Sequence, residues 1–327
     1  MPETLVIALG GNAITRSNEP GTIPQQFAHT AETLEQLKPL FRSDYRVVLT
    51  HGNGPQIGNI LIRVEEGERK VPRLPLDTCV SDSQGGMGYM IQRIAYELFR
   101  REGIDREVAT VITQVLVDKS DPDFAHPSKP VGRFYNTEEA ERIRREKPQW
   151  QLREVEGGRF RRVVPSPRPK QILEANAIAG LLDAGVVVIA CGGGGIPVAW
   201  EGDQLVGIEG VIDKDFSSSL LATHIRAEKL IIATTVEQVA IRFGKSGQQW
   251  LGTLSREEAA KFLAAGEFPP GSMGPKIEAG IDFVAQGGEE CIITSTENVA
   301  RAVMGEGGTH IVASWSHPSM VFPQAPS

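Results

Sequence analysis

The sequence predicts an α/β fold, a largely parallel β-sheet covered by helices on both faces. Three observations carry this. Short β-type runs alternate with stretches of helical periodicity along the chain. The strongest run, VVVIAC at 186 to 191, is apolar at consecutive positions, as a strand buried on both faces must be. Three runs lead into glycine, two directly and RVVLT after one residue, the ending expected where loops at the carboxyl edge of a parallel sheet approach a ligand.

LVIAL (5 to 9) is the first predicted strand. Phe27, Ala31, Leu34, Leu37 and Leu40 then recur at helical spacing after Pro24. RVVLT (46 to 50) is the second strand, and Met87, Met90, Ile94 and Leu98 form a second helical stripe closed by Arg100, Arg101 and Gly103. Such a stripe is a core face rather than a cofactor box. VATVIT (108 to 113) and VVVIAC follow as strands, with a helix expected between them from Pro169 through Ile172, Ala175, Ile178 and Leu182 to Gly185. KLIIAT (229 to 234) and ECIIT (290 to 294) complete the strands, and Ser255 with Glu258 is a capping box for a fourth helix.

Residues 119 to about 167 break this rhythm, with six prolines and few periodic apolar positions. They read as an inserted lobe or a long irregular loop. The run RIRREK within them is interleaved with glutamates, so a solvated helix face is expected there.

The 327 residues suffice for one large domain or two ordinary ones. Thirty-four basic and 41 acidic side chains leave a net charge of −7, a poor balance for binding nucleic acid or an anionic membrane. Cys79, Cys191 and Cys291 are odd in number and never spaced C-x-x-C, which favours reduced, buried thiols. The start MPETLVIALGG has no basic n-region, and no apolar run approaches the ~18 residues of a membrane span. A cytoplasmic protein is the expectation.

The glycine endings are LVIALGGNA, with Gly10, Gly11 and Asn12; RVVLTHGNGPQ, with Gly52, Asn53 and Gly54; and VVVIACGGGGIPV, with Gly192 to Gly195. If their strands are neighbours, three loops deliver backbone N–H groups to one place, a cradle for a phosphoryl group or carboxylate. Familiar nucleotide motifs are missing: FGKSG (243 to 247) lacks the earlier glycine of a phosphate loop, since Val239 stands there. Phosphoryl transfer without that loop still needs fixed positive charge. Lys214 in EGVIDKDFSS sits between Asp213 and Asp215 at an expected helix start, and Lys276 follows GSMGP at another. There a solvated lysine would oppose the helix dipole. Lys129 lies in HPSKPVG, with proline on both sides. Each lysine taken singly reads as a surface residue. Asp215 reads either as an orienter of cations or as an N-cap.

LVIALGGNA, THGNGPQIGN, HPSKPVGRFY, RRVVPSPRP, VIACGGGGIPV, EGVIDKD and GSMGPKIEAG, in this order and across almost the whole chain, resemble the carbamate kinase branch of the amino acid kinase family. The resemblance implies a single domain over residues 1 to 327, a three-layer αβα sandwich with residues 119 to 167 as a small protruding subdomain, and a homodimer. It implies the reaction ATP + carbamate ⇌ ADP + carbamoyl phosphate, with Mg²⁺ accompanying ATP or ADP and no metal held by protein ligands. By the same resemblance Lys129, Lys214 and Lys276 contact the transferred phosphoryl group and nucleotide phosphates, and Asp215 organises the lysines. Gly10, Gly11, Asn12, Gly52, Asn53, Gly54, Gly193 and Gly194 bind the small acid, the glycines making room for it, and Met273 and Thr235 lie on the nucleotide side. Thr235 departs from the family's usual Thr-Asp-Val, which bears on nucleotide affinity more than on chemistry. An acetylglutamate or aspartate kinase is the enzymatic alternative, against which HPSKPVG and VVPSPRP count. A non-catalytic binding protein on the same fold is the other. The tail SWSHPSMVFPQAPS has no assigned role.

Overall fold

β1 (Thr4–Leu9) is buried at all six positions, and its alternate side chains enter two separate cores. That is the geometry of a strand at the centre of a sheet covered on both faces. The computed structural model describes residues 2–16, 19–155 and 157–314; the C-terminal tail from Trp315 lies outside them.

After β1 come α1 (Ile23–Arg42), β2 (Arg46–His51), α2 (Gly54–Gly67), α3 (Leu76–Glu102), β3 (Val108–Thr110) and β4 (Gln114–Val117). Next are β5 (Lys129–Tyr135), α4 (Thr137–Glu146), β6 (Gln151–Val155) and β7 (Arg159–Val164). β8 (Pro169–Ile172), α5 (Ala175–Asp183), β9 (Val187–Ile189), β10 (Ile196–Glu201), β11 (Gln204–Gly207) and α6 (Lys214–His224) follow. The chain then forms β12 (Lys229–Thr234), β13 (Val239–Ile241), β14 (Gln249–Leu251), β15 (Thr253–Ser255) and α7 (Arg256–Ala264). It ends with α8 (Met273–Ala285), β16 (Glu290–Ser295), α9 (Val299–Val303) and β17 (Thr309–Val312).

The main sheet has eight strands in the order β15-β17-β16-β12-β1-β2-β9-β3, parallel throughout except for β16 against β17. Leu5, Ile7 and Leu9 face α1, α3 and α9, packing with Leu37, Phe41, Ile91 and Val299. Val6 and Ala8 face α5, α6 and α8, packing with Ile178, Leu221 and Phe283. The result is a three-layer αβα sandwich. No helix among the described residues is long and apolar enough to cross a membrane.

Local signals explain the helix limits. α3 ends at Gly103 with φ 63°, whose N–H bonds to Phe99 O, and Arg100 and Arg101 occupy its last turn. α7 begins with the Ser255–Glu258 capping box. The helix expected from Pro169 starts instead at Ala175, because Pro169–Ile172 pairs antiparallel with β4 and buries Ile172 opposite Val115. Proline is tolerated there as the first residue of a strand. The 108 to 113 run is likewise a shorter strand, ending at Thr110. Residues 129 to 164 form the antiparallel sheet β5-β7-β6, with Tyr135, Ile143 and Trp150 as a small core beside α4. At the root of this lobe Val131 and Val164 pack on Ile57 and Leu61 of α2.

β1, β2 and β9 are adjacent and parallel, so their three glycine endings share one edge. The loop after β9 is a 3-10 turn, Gly192–Gly194, entered through Cys191 at φ 50°. A Cβ on Gly194 would lie 2.1 Å from Ile212 O, and this residue stands at φ 92°. Gly194→Ala is expected to cost ~2–5 kcal/mol from strain and overpacking together. Gly180→Ala, in α5 with nothing within 4 Å of its Cβ, is expected to leave stability unchanged or slightly raised. Denaturant unfolding of the two variants checks this; equal midpoints would contradict it.

Candidate active site

Asp213 is the N-cap of α6, accepting from Asp215 N at 3.0 Å, so the helix starts at Lys214. The cap is thus Asp213, and Asp215 is left free for another task. Its two oxygens accept from the Lys214 and Lys276 ammonium groups, each at 2.7 Å. Lys276 arrives from the first turn of α8. Lys129, the first residue of β5, donates to Asp213 Oδ2 at 2.7 Å. The three lysines singled out in the sequence therefore meet at the first turn of one helix.

Burial sets the charge states. It pushes the Asp215 carboxyl up, but Lys214 and Lys276 together outweigh it and hold the group at about 2. Burial also lowers the Lys214 ammonium below the ordinary lysine value, against the pull of Asp215. His51 at the end of β2 is driven down to about 4, first by burial and then by the Lys214 charge, against its bond to Gly52 O. It is neutral, and because a carbonyl only accepts, Nδ1–H donates to Gly52 O at 3.1 Å.

The helix N-terminus adds partial positive charge to these ammonium groups. α6 is fastened below the site by Ser218, which donates to Lys214 O at 2.6 Å and accepts from Thr50 of β2 at 2.7 Å. Gly52 lies against Lys214, whose Cδ would be 3.4 Å from a Cβ there. This joins the glycine edge to the lysine cluster. Gly10 packs on Ala233 O, whereas Gly11 and Gly54 face open space. Asn12 lies in the 3-10 turn Gly11–Ala13 that follows β1. Asn53 precedes α2 and donates to Ser83 Oγ at 2.8 Å.

The glycine loop after β9 is packed tightly against its own neighbours. Added Cβ atoms at Gly192, Gly193, Gly194 and Gly195 would strike His51, Asn53, Ile212 and Val115 respectively. The space those glycines leave is filled by the protein itself. Their smallness lets His51 and Asn53 pack closely against the loop.

Sequence reasoning missed the polar clamp on this loop. Gln84 of α3 donates to Gly192 O at 3.0 Å and Thr113 O at 3.1 Å, and accepts from Thr113 N at 2.8 Å. Thr113 Oγ1 in turn accepts from Cys191 N at 2.9 Å. The available signal was an amide three residues before Met87 on a helix face that is otherwise core. Asp213 was missed as a partner of Lys129, since nothing in sequence links positions 84 apart.

Met273 opens α8 and packs partly buried against the α6/α8 core, one turn from Lys276. Thr235 is exposed and lines a separate cavity of about 530 Å³ with Arg16, His29, Glu32, Thr234 and Glu297. None of the three lysines lines that cavity. Cys79, Cys191 and Cys291 are unpaired and buried, and burial raises all three thiols.

Residues 3–295 match the amino acid kinase family. A carbamate kinase of Pyrococcus horikoshii is 42% identical over 313 residues, 95% of this chain and 99% of that protein. Carbamate kinase 2 of Staphylococcus aureus RF122 is 45% identical over 313 residues, with the same coverage. The structure of Giardia lamblia carbamate kinase bound to AMP-PNP superimposes with a TM-score of 0.91 at 38% identity, covering 95% of this chain and 98% of that one. With a family match across most of its length, relatives similar end to end and the same sandwich in three dimensions, this chain belongs to the amino acid kinase family.

Proposed function

We propose that the protein is a carbamate kinase, an ATP-dependent phosphotransferase interconverting ATP + carbamate and ADP + carbamoyl phosphate, and working toward ATP when carbamoyl phosphate is supplied. The observation that carries this is the meeting of three lysine ammonium groups at the first turn of α6, beside the loops that end β1, β2 and β9. End-to-end similarity to proteins named carbamate kinase supports the choice of acid.

The chemistry asks little else of the protein. A carbamate oxygen is already anionic at neutral pH, so no general base is required. As that oxygen bonds to the γ-phosphorus, the bond to the β–γ bridging oxygen breaks and its electron pair leaves on ADP. Lys214, beside Gly52, is assigned to the phosphoryl group in flight; Lys276, with Met273, to the nucleotide phosphates; and Lys129 to the outer face of the transition state. Asp215 aims the first two. Gly10, Gly11, Asn12, Gly52, Asn53 and Gly54 form the acid side, with Gly193 and Gly194 beneath, and the N-terminus of α2 favours an anion there. Thr235 is given no part in transfer.

Mg²⁺ enters as part of the nucleotide substrate. Asp213 and Asp215 are both engaged by lysines, and among the described residues no group of three or more His, Cys, Asp or Glu forms a ligand set. Phosphate oxygens and water are its expected ligands. Buried, unpaired cysteines suit a reducing compartment, and we place the enzyme in the cytoplasm. We also assign it a homodimer, with a second copy covering Tyr89 and Tyr96 of α3 and Ile112 beyond β3, which are 60%, 44% and 44% exposed at the sheet edge.

Purified protein with Mg²⁺, ADP and carbamoyl phosphate is expected to form ATP. Lys129→Met is expected to fold and bind ADP while turnover falls ~10²–10³-fold, the scale of one lost preorganised electrostatic donor. The control is Lys261→Met, exposed on α7. No ATP from folded wild type sinks the carbamate reading, and equal turnover in the two variants removes Lys129 from the site. Light scattering is expected to give twice the 35.5 kDa of one chain, and Tyr89→Glu to give a single chain. A monomeric wild type would contradict the dimer.

A further inference from the structure

Asp213 divides its two oxygens between two jobs. Oδ1 accepts from Asp215 N at 3.0 Å and caps α6. Oδ2 accepts from the Lys129 ammonium at 2.7 Å. We infer that Asp213 is the positioning residue for Lys129, setting the lobe's ammonium at the mouth of the site while its other oxygen anchors it to the helix. The inference rests on the carbamate kinase reading of this site.

The backbone at Lys129 is placed by the lobe. Lys129 pairs with Val164 across β5 and β7, Pro130 stiffens the next position, and Val131 and Val164 are packed on α2. The ammonium is not placed by any of this. It ends a four-carbon stem that is 41% exposed and free to sample many rotamers unless a partner holds it. Asp213 is only 17% exposed, and its helix-capping bond fixes where its second oxygen stands. A restrained acceptor thus selects one position for an otherwise unrestrained donor.

Charge balance gives the same answer. Both oxygens of Asp215 are already engaged by Lys214 and Lys276, whereas Lys129 bonds Asp213. Without Asp213, Lys129 would face two ammonium groups sharing one carboxylate, and solvent would be its better partner. A pair this exposed contributes little to stability, so its effect belongs in turnover rather than in folding.

Asparagine separates the two jobs, since it caps a helix about as well as aspartate but carries no charge. Asp213→Asn is expected to lower turnover ~10–100-fold, the scale of misplacing a reacting group by about 1 Å. The KM for ADP should stay within about twofold and the thermal midpoint should not move. Asp213→Ala should show the same loss of turnover with a lower midpoint. In a Lys129→Met background, Asp213→Asn should lower turnover no further. Wild-type turnover in Asp213→Asn, or its full loss repeated on top of Lys129→Met, overturns the inference while leaving the kinase reading intact. An inactive wild type overturns both.

Discussion

One buried carboxylate between two ammonium groups is the constraint on which the site depends. The Asp215 side chain is 4% exposed and bonds Lys214 and Lys276 at 2.7 Å each. Taking such ions out of water costs several kcal/mol apiece, and the arrangement survives only because every partner is in place. It is also deliberately unbalanced. Two cations share one anion at a helix N-terminus, and Lys129 with Asp213 adds no net charge. The cluster therefore keeps about one positive charge plus the helix dipole, which an arriving phosphoryl group would complete.

The fold exists around that cluster in a specific sense. β1 and β2 lie at the centre of the sheet, where strands are buried on both faces and their ends are held rigidly. The Thr50–Ser218 bond ties α6 to β2, and Gln84 ties the glycine loop to α3. Neutral His51 occupies the space left by Gly192, beside Lys214. An imidazolium there would add a fourth cation and raise the repulsion on Lys214, so keeping the imidazole unprotonated protects the cluster.

Much of this is legible in the sequence. Apolar runs ending in glycine mark the central strands, since both burial and the loop conformation are local demands. Lys214 and Lys276 draw notice at expected helix starts, where a solvated lysine opposes the dipole, and Lys129 between prolines, though each alone reads as a surface residue. What sequence leaves open is pairing. Asp213 and Asp215 look equivalent from either side of Lys214, and only the helix start distinguishes the cap from the bridge. Gln84 reads as one polar position in a core stripe until the fold brings it under Gly192. The strand at Pro169–Ile172 reads as helix because its register depends on β4, more than fifty residues away.

Whether the α6 cluster receives the phosphates is decided by a crystal structure of this protein with AMP-PNP, Mg²⁺ and carbamate. The Lys214 and Lys276 ammonium groups are expected within ~2.7–3.2 Å of β- or γ-phosphate oxygens, with the carbamate beside Gly11, Gly52 and Gly54. Phosphates seated instead in the cavity lined by Arg16, His29 and Thr235, with Asp215 still closed on both lysines, would contradict this placement.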